Sequence, residues 1–104
     1  MQETRRLALH EKFCELLGSR NVYFQPPESV RMKYPAIRYN LTSGNTRYAN
    51  NGVYNYHRRY EVTVIDKNPD IPWDEIMPNA FKYCSFERMY AYENLNHWQF
   101  SLYY

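Results

Sequence analysis

From Val53 to Lys67 the chain alternates with a period of two. Tyr54, Tyr56, Tyr60, Val62 and Val64 fall on one side of an extended backbone, with Arg58 among them, while Asn55, His57, Arg59, Glu61 and Thr63 fall on the other. Successive side chains of a strand point to opposite faces. The segment therefore predicts a long strand with one covered and one polar face, whose first half extends beyond the body of its sheet. No helical reading accommodates this pattern, so the rest of the chain must supply partners for a sheet.

Those partners are legible on both sides. Ile37, Tyr39 and Leu41 alternate with Ala36, Arg38 and Asn40, predicting a strand that starts just after Pro35. Near the end, Cys84, Phe86, Arg88, Tyr90 and Tyr92 alternate with Ser85, Glu87, Met89 and Ala91. Trp98, Phe100, Leu102 and Tyr104 then alternate with His97, Gln99 and Ser101. With Glu93-Asn94-Leu95-Asn96 as the connection, this is an antiparallel hairpin. Asn21 to Gln25 is an extended stub stopped by Pro26-Pro27. The Asn- and Gly-bearing segment 42–52 tolerates positive φ and predicts a projecting loop.

Two helices complete the pattern. Leu7, Leu9, His10, Phe13, Cys14, Leu16 and Leu17 recur at spacings of three and four, predicting a helix over Glu3 to Leu17 ended by Gly18. Asp70 is placed to cap a second, short helix from Ile71 to about Phe81, which Pro78 limits or kinks. With 104 residues, the chain forms a single structural domain over 1–104. The expected fold is α+β: an antiparallel four- to five-stranded sheet with the N-terminal helix and a second short helix packed on one face.

Composition sharpens this. Ile, Leu, Val and Phe together number 21, close to the floor for a stable core. Twelve tyrosines supply the missing apolar area, each with a hydroxyl that must stay wet or find a partner. The mean hydropathy is −0.80, and no apolar run reaches the roughly 18 residues a membrane helix needs, so no membrane partner is expected. Met-Gln-Glu-Thr-Arg-Arg lacks the apolar stretch of a signal peptide. On that reading Cys14 and Cys84 are free buried thiols of a reducing cytosol, with a disulfide as the lesser alternative.

The chemistry-bearing residues do not cluster in sequence. His10, His57 and His97 stand far apart, no metal-ligand spacing occurs, and Cys14 sits on the apolar helix face where a thiol is inert. With three glycines there is no phosphate cradle. The expectation is a non-enzymatic protein with no catalytic residues, no metal and no cofactor. Asp66, Asp70, Asp74 and Glu75 read as caps and solvated charges, since a calcium loop needs ligands at other offsets. Arg58 and Arg59 among tyrosines form the best basic-aromatic patch, which could stack on bases and neutralise phosphates. The competing account is a strand with one buried tyrosine face.

Charge is distributed unevenly. Residues 1–19 carry three basic and three acidic groups, residues 20–60 seven basic against Glu28, and residues 61–104 three basic against seven acidic. Such a split arises by chance in a short chain, or marks two oppositely charged surfaces.

The segments Met32 to Tyr39, Asn45 to Tyr48, Arg59 to Lys67, Tyr83 to Phe86 and Asn94 to Tyr104 resemble small structural proteins of long-tailed bacteriophages and prophages of Gram-positive bacteria. These are encoded among the head–tail connector genes and described as minor capsid or tail completion proteins. The resemblance implies an α+β tail terminator (tail-to-head joining) subunit in a hexameric ring that caps the tail tube and docks on head connector proteins. DNA would pass through the lumen without sequence-specific binding. It implies a place in the virion, and in the host cytoplasm during assembly. A head-closure or adaptor protein nearer the portal is the neighbouring reading. A small nucleic-acid-binding module using the Arg58-Arg59 strand, or another small interaction domain of antitoxin-like or regulatory type, is the reading of a different class. Candidate subunit or partner contacts are Tyr34, Arg47, Tyr48, Asn51, Arg58, Arg59 and Tyr103.

Overall fold

A computed structural model describes residues 2–42 and 58–104, with side chains from residue 5 onward. The element order is α1 (Gln2–Leu17), β1 (Val22–Phe24), β2 (Ala36–Leu41), β3 (Arg59–Asp66), α2 (Trp73–Ala80), β4 (Cys84–Tyr92) and β5 (Leu95–Tyr103). The expected loop beyond Thr42 and the first part of the long strand, 53–57, lie outside the described residues.

The five strands form one sheet in the order β1-β2-β3-β5-β4. Tyr60, Val62 and Val64 of β3 pair across with Leu41, Tyr39 and Ile37 of β2, and with Leu102, Phe100 and Trp98 of β5. These residues share one face, as the alternation requires, and Val62, Val64 and Phe100 are fully buried on it. Leu9 and Phe13 of α1 and Trp73 and Met77 of α2 join the same core, so both helices lie on that face. α1 packs over β1 and β2, and α2 packs against β4.

The α+β class, the five strands and the N-terminal helix agree with the sequence. The sheet, however, is mixed rather than antiparallel. Val22–Phe24 is a strand, not a stub, and it runs parallel to β2 with Val22 opposite Ile37 and Phe24 opposite Tyr39. The connection 25–35 is long enough to return the chain to its starting end, which a tight turn is not. It crosses on the helix-free side: the Tyr23 hydroxyl there accepts the Lys33 N–H at 3.1 Å. Within it the Tyr34–Pro35 peptide is cis.

Gly18 ends α1 with φ +77°, its N–H bonded to the Cys14 carbonyl at 2.9 Å. A Cβ at Gly18 would meet nothing within 4 Å, so only the backbone resists substitution. Gly18→Ala should cost about 1 kcal/mol, read as a lower urea midpoint at unchanged m. Leu7, expected on the buried face of α1, is 52% exposed. Asp70 does not cap α2: the N-cap residue is Pro72, without a side-chain hydrogen bond. Instead the Asp70 N–H donates to Asn68 Oδ1 at 2.9 Å, and the Asn68 N–H donates to Asp66 Oδ1 at 3.0 Å. The β4–β5 hairpin turns in two residues rather than four, Glu93 and Asn94, both at positive φ. That geometry matches the twist of the flanking strands.

Candidate interaction surface

β4 is an edge strand with a bulge. Phe86 pairs with Phe100 and Arg88 pairs with Gln99, so Glu87 is an extra residue. A bulge shifts the alternation by one. Cys84, Phe86, Met89 and Ala91 therefore share the helix-bearing face, while Ser85, Arg88, Tyr90 and Tyr92 share the helix-free one. The sequence alternation, continued unbroken, assigns Tyr90 and Tyr92 to the same side as Phe86 and as sheet-covering residues. The bulge reverses that: Tyr92 is 64% exposed and Tyr90 lies on the open face. Phe86 and Met89, on the other face, are 41% and 45% exposed. Thus β4 presents large apolar side chains on both faces, together with a main-chain edge that no described residue pairs.

The open face has an ordered surface. Tyr90 stacks on His97 with centroids 4.8 Å apart and planes 11° from parallel. Arg88 lies 5.1 Å over the Tyr90 ring, while its Nε donates to Gln99 Oε1 at 2.8 Å. In the neighbouring region Arg59 Nε donates to Ser101 Oγ at 3.1 Å, with Glu87 3.9 Å from its guanidinium. His97, Ile65, Thr63 and Ala36 are buried on this face although no helix covers it.

Of the candidate contact residues, Arg47, Tyr48 and Asn51 lie outside the described residues. Arg59 and Tyr103 are paired neighbours on the open face, both half-buried. Arg58 is exposed, and its backbone exchanges two hydrogen bonds with Tyr104, both at 2.9 Å. Strand alternation sets Arg58 on the side opposite Arg59, so the two arginines do not form one patch. Tyr34 is half-buried in the crossing connection. The residues that reasoning from sequence missed are Phe86, Met89, Tyr90 and Tyr92. The signal for them is the consecutive polar pair Glu87-Arg88, which breaks the polar–apolar alternation of the strand.

A second polar-aromatic group lies under α1. The Tyr39 ring is fully buried, and its hydroxyl lies 2.8 Å from His10 Nδ1 and accepts from Arg6 at 3.4 Å. Arg6 also sits 4.4 Å over Phe24. Burial, then the Arg6 charge, hold the His10 imidazolium below its ordinary range. Burial raises the Tyr39 phenol, against the opposing pull of Arg6. The network joins core aromatics to the helix.

Both histidines affect stability with the same sign. Burial is the main cause of the lowered pKa at His97 as well, its hydrogen bond to the Leu95 carbonyl opposing it. The unfolded chain therefore binds more protons than the folded one once pH falls below the ordinary value of 6.5. Stability should be fully present above that value and decline as pH drops through the folded pKa values. The thermal midpoint at pH 5.5 should lie below that at pH 7.5, and the double variant His10→Gln, His97→Gln should flatten the difference.

The thiols are poor nucleophiles. Burial pushes Cys84 up to about 12 and raises Cys14. Both are unpaired, Cys14 buried and Cys84 half-buried. Among the described residues no three of His, Cys, Asp and Glu gather as a metal site, and no helix is long and apolar enough to cross a membrane. No family model, curated protein or solved structure matches this chain.

Proposed function

We propose that the protein is a non-enzymatic structural subunit of an oligomeric ring at the head–tail junction of a long-tailed bacteriophage, acting as a tail terminator. The sequence resemblance supplies the class. The observation that carries the reading is β4, a nine-residue edge strand with aromatic and apolar side chains exposed on both faces. Long exposed edges are a hazard that soluble proteins suppress unless a partner covers them, and aromatic residues are favoured at protein contacts.

On this reading the subunits pair with one another in a ring that meets the tail tube protein on one axial side and head connector proteins on the other. DNA passes through the lumen without being read, and the protein resides in the virion after assembly in the host cytoplasm. A head-closure or adaptor role uses the same surfaces with different axial neighbours.

 In the second reading, the Tyr90–His97 stack flanked by Arg88 is a platform for single-stranded nucleic acid. Sedimentation velocity and negative-stain images of the purified protein separate the two. Rings, and binding of those rings to tail tubes, are the expected result. A monomer that binds oligonucleotides with a steep salt dependence would favour the second reading instead.

A further inference from the structure

Among the described residues the two edges of the sheet, β1 and β4, are complementary in direction and in charge. β1 runs parallel to β2, and each later neighbour in the order β2-β3-β5-β4 is antiparallel to the one before. β1 and β4 consequently run in opposite directions at opposite ends of the sheet. A second copy rotated about an axis along the strands would bring its β1 beside β4 as an antiparallel neighbour, the more favourable pairing.

The uneven charge of the sequence maps onto those same edges. The exposed Arg20 lies two residues before β1, and the exposed Arg31 and Lys33 lie in the connection after it, with Lys33 held beside β1 through its N–H on the Tyr23 hydroxyl. Arg20 is paired with Glu11 in two contacts of 2.9 Å, and Glu28 is the acidic residue of the connection. Around β4 the exposed acids are Glu87, Glu93 and, on the helix packed against it, Asp74 and Glu75. The basic residues on that side are Lys82, Arg88 and Arg59; Arg88 is already engaged by Gln99 and Tyr90, and Arg59 by Ser101 and, at 3.9 Å, by Glu87, which leaves four acids against three bases. The β4 side is net acidic and the β1 side net basic among the described residues.

We propose that β4 is the docking edge for the basic β1 edge of a second copy of this chain, joining subunits head to tail through antiparallel strands. The proposal rests on the ring reading and names its lateral contact. The two-sided exposure of β4 argues for a protein partner over a nucleic acid, which would use the open face and leave Phe86 and Met89 uncovered. A heterologous contact of this kind repeats from copy to copy and closes into a ring when the rotation permits.

Charge reversal tests it. Glu87→Lys with Glu93→Lys makes one variant, and Arg31→Glu with Lys33→Glu makes the other. Both sets of side chains are at the surface or nearly so, and circular dichroism and the thermal midpoint check that each variant folds. Each alone should weaken association at least tenfold by sedimentation. An equimolar mixture should recover assembly, because the Lys-bearing β4 of one variant then meets the Glu-bearing β1 edge of the other. If the wild type forms rings that neither variant disturbs, this contact is wrong and the ring reading stands. Loss of assembly in the β4 variant alone, with no rescue on mixing, would instead indicate a β4–β4 contact or another partner and overturn the proposal. A wild type that remains monomeric at every concentration overturns both.

Discussion

Phe13→Ala is expected to lower the stability of the folded chain by about 3–5 kcal/mol, a large share of the roughly 5–15 kcal/mol that holds a typical domain together. Phe13 is fully buried, with its ring centroid 5.0 Å from Tyr39 and 5.5 Å from Phe81, both edge-on. It thereby ties α1 to β2 and to the segment that follows α2. Alanine removes the transfer free energy of the ring and leaves a cavity that these neighbours can only partly fill. Phe13→Leu keeps most of the volume and should cost well under half as much. Leu7→Ala, on the exposed side of the same helix, should stay within about 0.5 kcal/mol. Urea denaturation of the three variants measures the contrast. A loss below about 1 kcal/mol for Phe13→Ala would mean that α1 is not docked as described.

That contrast also shows where the sequence was informative. Spacing alone puts most of the apolar residues of α1 on one face; Leu9 and Phe13, four apart, share it, whereas Leu7 is two residues, about 200°, from Leu9 and falls on the other side. Leu9 and Phe13 are buried and Leu7 is not. The strands β2, β3 and β5 are legible because each has neighbours on both sides and packs its apolar residues on the helix-bearing face, which imposes a period of two even though Ala36, Thr63, Ile65 and His97 are buried on the open face as well. The two edge strands are less so. β1 is three residues long, too short for its alternation to reveal a direction. In β4 the extra residue Glu87 changes the face of everything after it, and composition alone does not locate a bulge. The candidate surface was missed for the same reason: its tyrosines were assigned to the wrong side of a strand whose phase shifts halfway along.

Asp66→Ala should cost about 2–3 kcal/mol, because a buried carboxylate there satisfies two donors at once. Oδ2 accepts the indole N–H of Trp73 at 3.2 Å, and Oδ1 accepts the Asn68 N–H at 3.0 Å. Asp66 is itself buried at the end of β3, and its carbonyl accepts from the Asn96 side chain at 3.3 Å. The alanine variant leaves the Trp73 N–H without its acceptor inside the core and releases the turn that leads into α2. Asp66→Asn keeps one side-chain oxygen, so it should retain one of the two hydrogen bonds and lose roughly half as much. The expected order of urea midpoints is wild type, then Asn, then Ala. Equal midpoints for Asn and wild type would show that the second acceptor is immaterial, and equal midpoints for Asn and Ala that one oxygen alone contributes nothing. Since α2 packs against β4, loosening its anchor should also weaken association of the alanine variant, even where the chain remains folded.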